Sequence, residues 1–304
     1  MKLLSREDWV QRAETHRALV SPMTDPFLER RRVAQKHPVY DFLFTYYPFS
    51  PTKLKQWVPS FEEALIIHAN EELPSYFSEY WFETHNNILR LNPERLQDSI
   101  LNLATFIQEL CNAMLERTPR FGCFGLHEWA MVYRLPPEKL RHAGYPLRLS
   151  SDALARFVES QNLCCTHYDA YRFFTPQAEP LNLFKPTLEN RIQNEQAGCL
   201  HANMDLYKWA TKLWPWIGSD LIAKTFLLAV EGRELDMRAS PYDLEEQGYP
   251  PIRIETEEGR KQYQLLQQQY ARKATGLRQE LAAFCSRLYT NYLKNRFFAA
   301  SGSH

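Results

Sequence analysis

The sequence predicts a mainly α-helical protein, a single large helical domain with an irregular middle segment and few short strands. Glycine is scarce, at 10 of 304 residues, and apolar residues make up 44% of the chain, which is typical of a globular protein with many helices. Proline repeatedly follows a residue that caps helices well. Apolar residues also recur at helical spacing in residues 93–117 and 257–293.

Capping signals mark the helices of the amino-terminal part, residues 1–118. Ser5 and Asp8 resemble a capping box that opens a helix toward Val20. Three further helix starts are predicted where a cap residue precedes proline, at Asp25–Pro26, Ser50–Pro51 and Asn92–Pro93. The third start precedes an amphipathic helix that should end before Thr118–Pro119.

The carboxy-terminal part, residues 119–300, begins with the least regular segment of the chain. A short helix is expected from Ser151 through Ser160, and Cys164–Phe174 is expected to form a strand or a buried loop. Later helices are predicted over 198–214, over 219–230 and from Thr256 onward, with 301–304 as a frayed tail. Composition does not change sharply between the two parts, so we expect them to share one core.

Charge and motif content exclude several classes of protein. Lys plus Arg and Asp plus Glu are both 36, and this zero net charge argues against tight binding to random duplex DNA, while nucleic acid stays open as a partner. No apolar run is long enough for a signal peptide or a membrane span, so we expect a cytoplasmic protein with no membrane partner. The six cysteines form no C-x-x-C pair, which favours reduced thiols. Nothing in the sequence indicates an oligomeric state.

Four polar islands between residues 126 and 243 hold the candidate chemistry. They span Leu126–Arg134, Thr166–Phe174, Leu200–Trp209 and Leu235–Asp243. Polar groups in apolar surroundings need partners, and the nearest partners are one another. We therefore expect one pocket that gathers the following side chains: His127, His167, Asp169, His201, Asp205, Asp236 and Arg238.

The residue types in these islands predict particular roles. His201 and Asp205 are spaced i, i+4, so on a helix they share a face, as two metal ligands or as an imidazole and its orienting carboxylate. A divalent transition metal is the cofactor expected for a ligand set of His127, His167, Asp169, His201 and Asp205, with Glu128 as a further carboxylate. The substrate, a small molecule or nucleobase, is expected to contact Tyr168, Tyr171, Arg172, Phe174 and Arg238.

Four segments of the chain resemble a bacterial family whose members are commonly labelled 3-methyladenine DNA glycosylase. These segments are His37–Phe44, Thr166–Phe174, Cys199–Trp209 and Leu235–Asp243, and the resemblance extends over nearly the whole chain. It implies hydrolysis of the N-glycosidic bond of a modified nucleobase, on DNA or on a small nucleoside. The candidate catalytic residues for such a reaction are His167, His201, Asp205 and Asp236, because a nearby carboxylate would stabilise an oxocarbenium-like sugar.

Two other functions are compatible with the same residues. One is a metal-dependent enzyme, either a hydrolase or a non-haem iron oxygenase, whose ion is held by histidines and carboxylates. The other is a non-catalytic protein whose polar islands bind a small ligand. Metal content separates the first of these from a metal-free glycosylase.

Overall fold

A computed structural model of the chain describes residues 1–69, 71–140 and 144–301. Over these residues the protein is 55% helical and 7% strand, which confirms the predicted mainly α class. Residues 302–304 of the expected tail lie outside the described residues. The helices are α1 Arg6–Arg32, α2 Asp41–Thr45, α3 Pro51–Leu54, α4 Asp98–Glu116, α5 Leu126–Ala130, α6 Ser151–Glu159, α7 Tyr168–Tyr171, α8 Arg191–Asn194, α9 Leu200–Lys212, α10 Ser219–Ala239 and α11 Glu257–Ser301.

Helix α1 is longer than the sequence predicts. It begins at the expected cap, where the Ser5 side chain accepts a hydrogen bond from the Asp8 amide, but it continues to Arg32. The predicted helix start at Pro26 is therefore wrong. Prolines inside a helix remove backbone hydrogen bonds, and here a continuous buried face offsets that cost. Its buried residues are Trp9, His16, Val20, Thr24 and Phe27.

The strands lie in the first hundred residues, as one four-stranded sheet. They are β1 Lys2–Leu4, β2 Glu63–Ile66, β3 Phe82–His85 and β4 Ile88–Leu91. The order is β1-β2-β4-β3, with β1 parallel to β2 and the other pairs antiparallel. Asn86 and Asn87 join β3 to β4 with φ angles of 49° and 62°, the left-handed conformation of a tight hairpin turn.

Other boundaries agree with the sequence in some places and differ in others. Helix α3 starts at Pro51 behind the Ser50 cap, and α6 starts behind the Ser150 cap, both near their predicted positions. Asn92–Pro93 begins only a 3₁₀ turn, and α4 starts at Asp98. The segment 164–174 is a loop followed by α7, not a strand. Helix α10 extends beyond 230 to Ala239, so most of the fourth polar island is helical.

The chain divides into two compact units. The first comprises 1–111, 206–227 and 279–304, and the second comprises 112–205 and 228–278. In the first unit, Asp220 accepts a hydrogen bond from the Trp57 indole at 2.9 Å and pairs with Arg12. Rings of Tyr207 and Phe226 pack there at 5.3 Å between centroids.

The second unit contains all seven residues that the sequence expects in one pocket. Its core includes Trp129, whose indole donates to the carbonyl of Ala239 at 2.9 Å. That bond joins α5 to the end of α10 within this unit. Helix α6 adds the fully buried Leu154 and Val158. Among the described residues of both units, no helix combines the length and apolar character needed to cross a membrane.

Candidate metal centre

Asp236 lies at the centre of the buried polar cluster in the second unit. It is on α10 and is fully buried. Its Oδ1 is 2.7 Å from Nε2 of His127 on α5, and its Oδ2 is 3.8 Å from Nε2 of His201 on α9. Three helices thus present one carboxylate and two imidazoles to a common point.

A buried guanidinium supports this carboxylate. Nη1 of Arg233 donates to Oδ2 of Asp236 at 2.8 Å and to Oε1 of Glu128 at 3.0 Å. Burial alone would raise the pKa of Asp236, but the neighbouring His127 and Arg233 outweigh it and hold that pKa below the usual range. Asp236 is therefore ionised at neutral pH, as a metal ligand must be.

His201 is held in its neutral form. Burial, with smaller contributions from nearby groups, lowers its pKa to about 3. Its ring stands 4.3 Å from the His127 ring between centroids, at 85°. Within the part of the chain that the structure describes, neither ring nitrogen of His201 makes a hydrogen bond. A neutral imidazole with an available lone pair is the form that binds a transition metal.

These three residues have the spacing of a metal-ligand set. Ligand atoms of His127, His201 and Asp236 all lie within 4.8 Å of one another, and all three residues are buried. Bonds of about 2.1 Å to one ion would place such atoms about 3 to 3.5 Å apart. The observed distances are 2.7 Å from Nε2 of His127 to Oδ1 of Asp236 and 3.8 Å from Nε2 of His201 to its Oδ2.

His167 is close to the same point but is held differently. Its ring lies 5.7 Å from the His201 ring between centroids. Its Nδ1 accepts the amide hydrogen of Ala170 at 3.2 Å, which caps α7. Because Nδ1 provides the lone pair, Nε2 carries the proton and donates to Asp205 at 3.2 Å. His167 therefore presents a donor rather than a lone pair, and we leave it out of the proposed ligand set.

A second group of carboxylates surrounds His167. Ligand atoms of His167, Asp169 and Asp205 lie within 4.8 Å of one another. Asp169 accepts a hydrogen bond from the buried Arg191 at 2.8 Å, and Arg191 also pairs with Glu195 at 3.0 Å. Asp169 thus has a buried guanidinium as its partner, as Asp236 has in Arg233.

The cluster opens on one side to a small cavity of about 20 Å³. Both His127 and His201 line it. Four of the six cysteines line it as well: Cys123, Cys164, Cys165 and Cys199. The other lining residues are mostly apolar: Leu126, Leu163, Phe174, Leu200, Thr166 and Gln196. All four thiols are free, and burial raises the pKa of Cys164 to about 11 and of Cys165 to about 12.

The structure separates several residues that the sequence groups with this site. Arg238 donates a hydrogen bond to the carbonyl of Pro250 at 3.1 Å. Arg172 is 44% exposed and pairs with Asp169. Of the predicted aromatic surface, Phe174 lines the cavity, while Tyr171 packs behind it at 5.2 Å and Tyr168 lies near Arg191.

The sequence interpretation missed the two buried arginines, Arg233 and Arg191. Arg233 stands i, i+3 from Asp236, a spacing that pairs side chains on a helix, and this was the available signal. Arg191 and Glu195 are spaced i, i+4, which also pairs side chains on a helix. The four cysteines that line the cavity show no recognisable pattern in the sequence, because only folding brings them together.

Comparison of this chain with protein-family models, with curated proteins and with solved structures gives no match.

Proposed function

We propose that the chain is a metal-dependent enzyme whose ion is held by His127, His201 and Asp236. The observation that carries this proposal is the buried juxtaposition of two imidazoles and one carboxylate within 4.8 Å. Two histidines and a carboxylate are the ligands of non-haem iron oxygenases and of several zinc hydrolases. Arg233 supplies the outer hydrogen bond that orients the carboxylate, as such sites require.

The available tautomers support this assignment. Nδ1 of His127 makes no hydrogen bond to a described residue, so its proton can reside there while Nε2 binds an ion. The ring nitrogens of His201 also make no hydrogen bond to a described residue, so either one can carry its proton while the other binds the ion. Metal binding at Nε2 of His127 would then require the imidazole proton to move from the contact with Asp236, whose Oδ1 is 2.7 Å from Nε2, to Nδ1.

Elemental analysis of the purified protein tests the proposal. We expect about one transition metal ion per chain in the wild type, and its loss in His201→Ala and in Asp236→Ala. His85→Ala, at an exposed position of β3, is the matched control and should keep the metal. Circular dichroism confirms that each variant is folded. Folded wild-type protein that binds no Fe²⁺, Mn²⁺ or Zn²⁺ under anaerobic conditions contradicts the proposal.

The N-glycosylase hypothesis stays a prediction with less geometric support. A cavity of about 20 Å³ is too small for a purine. Release of free base from alkylated DNA or from 3-methyladenine nucleosides by metal-free protein would favour it. Stoichiometric metal with no turnover of any substrate would favour a binding protein.

A further inference from the structure

The thiol-lined cavity bears directly on what the proposed metal would bind. His127 and His201, two of the three proposed ligands, form part of its wall. An ion held by these residues would therefore face the cavity. A small molecule in the cavity would lie at the open side of the ion.

The size of the cavity limits its occupant to one or two heavy atoms. Its volume is about 20 Å³, whereas a single water needs at least about 10 to 15 Å³ on the same measure. Amino acids, sugars and nucleobases are therefore too large. A larger substrate would have to approach the centre from another direction.

The wall is uncharged and mostly apolar. Leu163, Phe174 and Leu200 contribute hydrocarbon. Among the residues that the structure describes, no Lys, Arg, Asp or Glu side chain lines it, and its four cysteines are free thiols. The amide of Gln196 is engaged by the backbone of Arg120 and Gly198. Such a surface disfavours an anion and favours an uncharged gas molecule.

We propose that this cavity binds an uncharged diatomic molecule of the dioxygen class next to the metal ion held by His127, His201 and Asp236. The inference rests on the proposed function for the ion, and it extends that function by naming the class of co-substrate. The cavity itself is a property of the metal-free fold.

Nitric oxide is a suitable probe, because it is an uncharged diatomic that gives Fe²⁺ a characteristic electron paramagnetic resonance signal. Wild-type protein loaded anaerobically with Fe²⁺ should form the nitrosyl adduct. Cys164→Phe places a ring into the cavity and should weaken nitric oxide binding at least tenfold with unchanged iron content. Leu188→Phe, at an exposed position outside the cavity wall, should bind nitric oxide as the wild type does.

Xenon pressurisation of metal-free crystals tests the cavity independently of the ion. We expect a xenon peak between Leu163, Cys165 and Leu200. Iron-loaded protein that forms no nitrosyl adduct, or equal affinity in Cys164→Phe, overturns the inference and leaves the metal assignment intact. Protein that binds no metal overturns the proposed function instead, and absence of xenon from its crystals then overturns the cavity assignment as well.

Discussion

The imidazole of His127 and the carboxylate of Asp236 lie 2.7 Å apart although 109 residues separate them in the chain. This contact joins α5 to α10 inside the second unit. The same carboxylate accepts a hydrogen bond from Arg233, and both side chains are almost completely buried. A buried contact of this kind is costly unless every member is paired.

Removing the guanidinium that supports Asp236 should destabilise the fold. Arg233→Met leaves Asp236 and Glu128 buried without their shared donor, so we expect a loss of about 3 to 5 kcal/mol in the free energy of unfolding. Urea denaturation measures it. Arg134→Met removes a solvent-exposed pair with Glu159 and should change the free energy of unfolding far less than Arg233→Met. Equal losses in the two variants would contradict the assigned role of Arg233.

The contrast between His167 and His201 can be tested by one substitution made at both positions. Asn is a good helix cap and can accept the Ala170 amide hydrogen that His167 accepts now. We expect His167→Asn to retain the metal and His201→Asn to lose it, as measured by elemental analysis. Loss of metal from both variants at comparable stability would place His167 among the ligands.

Gly232 lies where neighbouring side chains leave no room for the methyl group of alanine. A Cβ built on Gly232 would lie 2.3 Å from the Tyr270 hydroxyl oxygen and 2.7 Å from Cγ of Met204. We expect Gly232→Ala to destabilise the protein by about 1 to 3 kcal/mol. At Gly276 on α11, nothing lies within 4 Å of the added Cβ, and Gly276→Ala should stabilise by about 0.5 to 1 kcal/mol. Thermal denaturation of the two variants should therefore shift in opposite directions.

A buried histidine in the first unit should make stability fall in mild acid. Burial lowers the pKa of His16, although the Leu54 carbonyl at 2.7 Å and the charge of Asp220 oppose the shift. The unfolded chain then binds the proton more tightly, with a pKa of about 6.5. Stability is complete above that pH and declines as pH falls through it toward the lower folded-state pKa.

Urea titrations between pH 7.5 and 5 check this expectation. His16→Gln should show a flatter dependence of unfolding free energy on pH than the wild type. His85→Gln, at an exposed position, serves as the matched control for the loss of one histidine. A slope that is unchanged in His16→Gln would assign the acid sensitivity to other groups.

Local sequence signals determined the helical class and many helix starts. Ser5 and Ser50 cap helices as their neighbours predict, because a side-chain oxygen that accepts from an amide three residues later needs no distant partner. The hairpin at Asn86–Asn87 was missed because its strands are only four residues long and lack the usual glycine.

The candidate site was only partly predictable. The polar islands pointed to His127, His201 and Asp236, because ionisable groups in apolar surroundings must find partners. Their sequence did not distinguish His167, whose tautomer is set by one backbone amide, or Arg238, which turns to a loop carbonyl. The side-chain conformation decides which of these partners is contacted, and the spacing of residues in the sequence does not predict that conformation.

The sequence by itself thus determined the helical character of this protein and which segments carry its ionisable residues, since both follow from local composition and periodicity. Only the tertiary structure decided that α5, α9 and α10 bring two imidazoles and one carboxylate to a common point. It alone also gathered four thiols from distant segments around one small cavity. The reason is that such contacts depend on how helices pack over long separations, and close packing selects one arrangement among many that the same pattern permits.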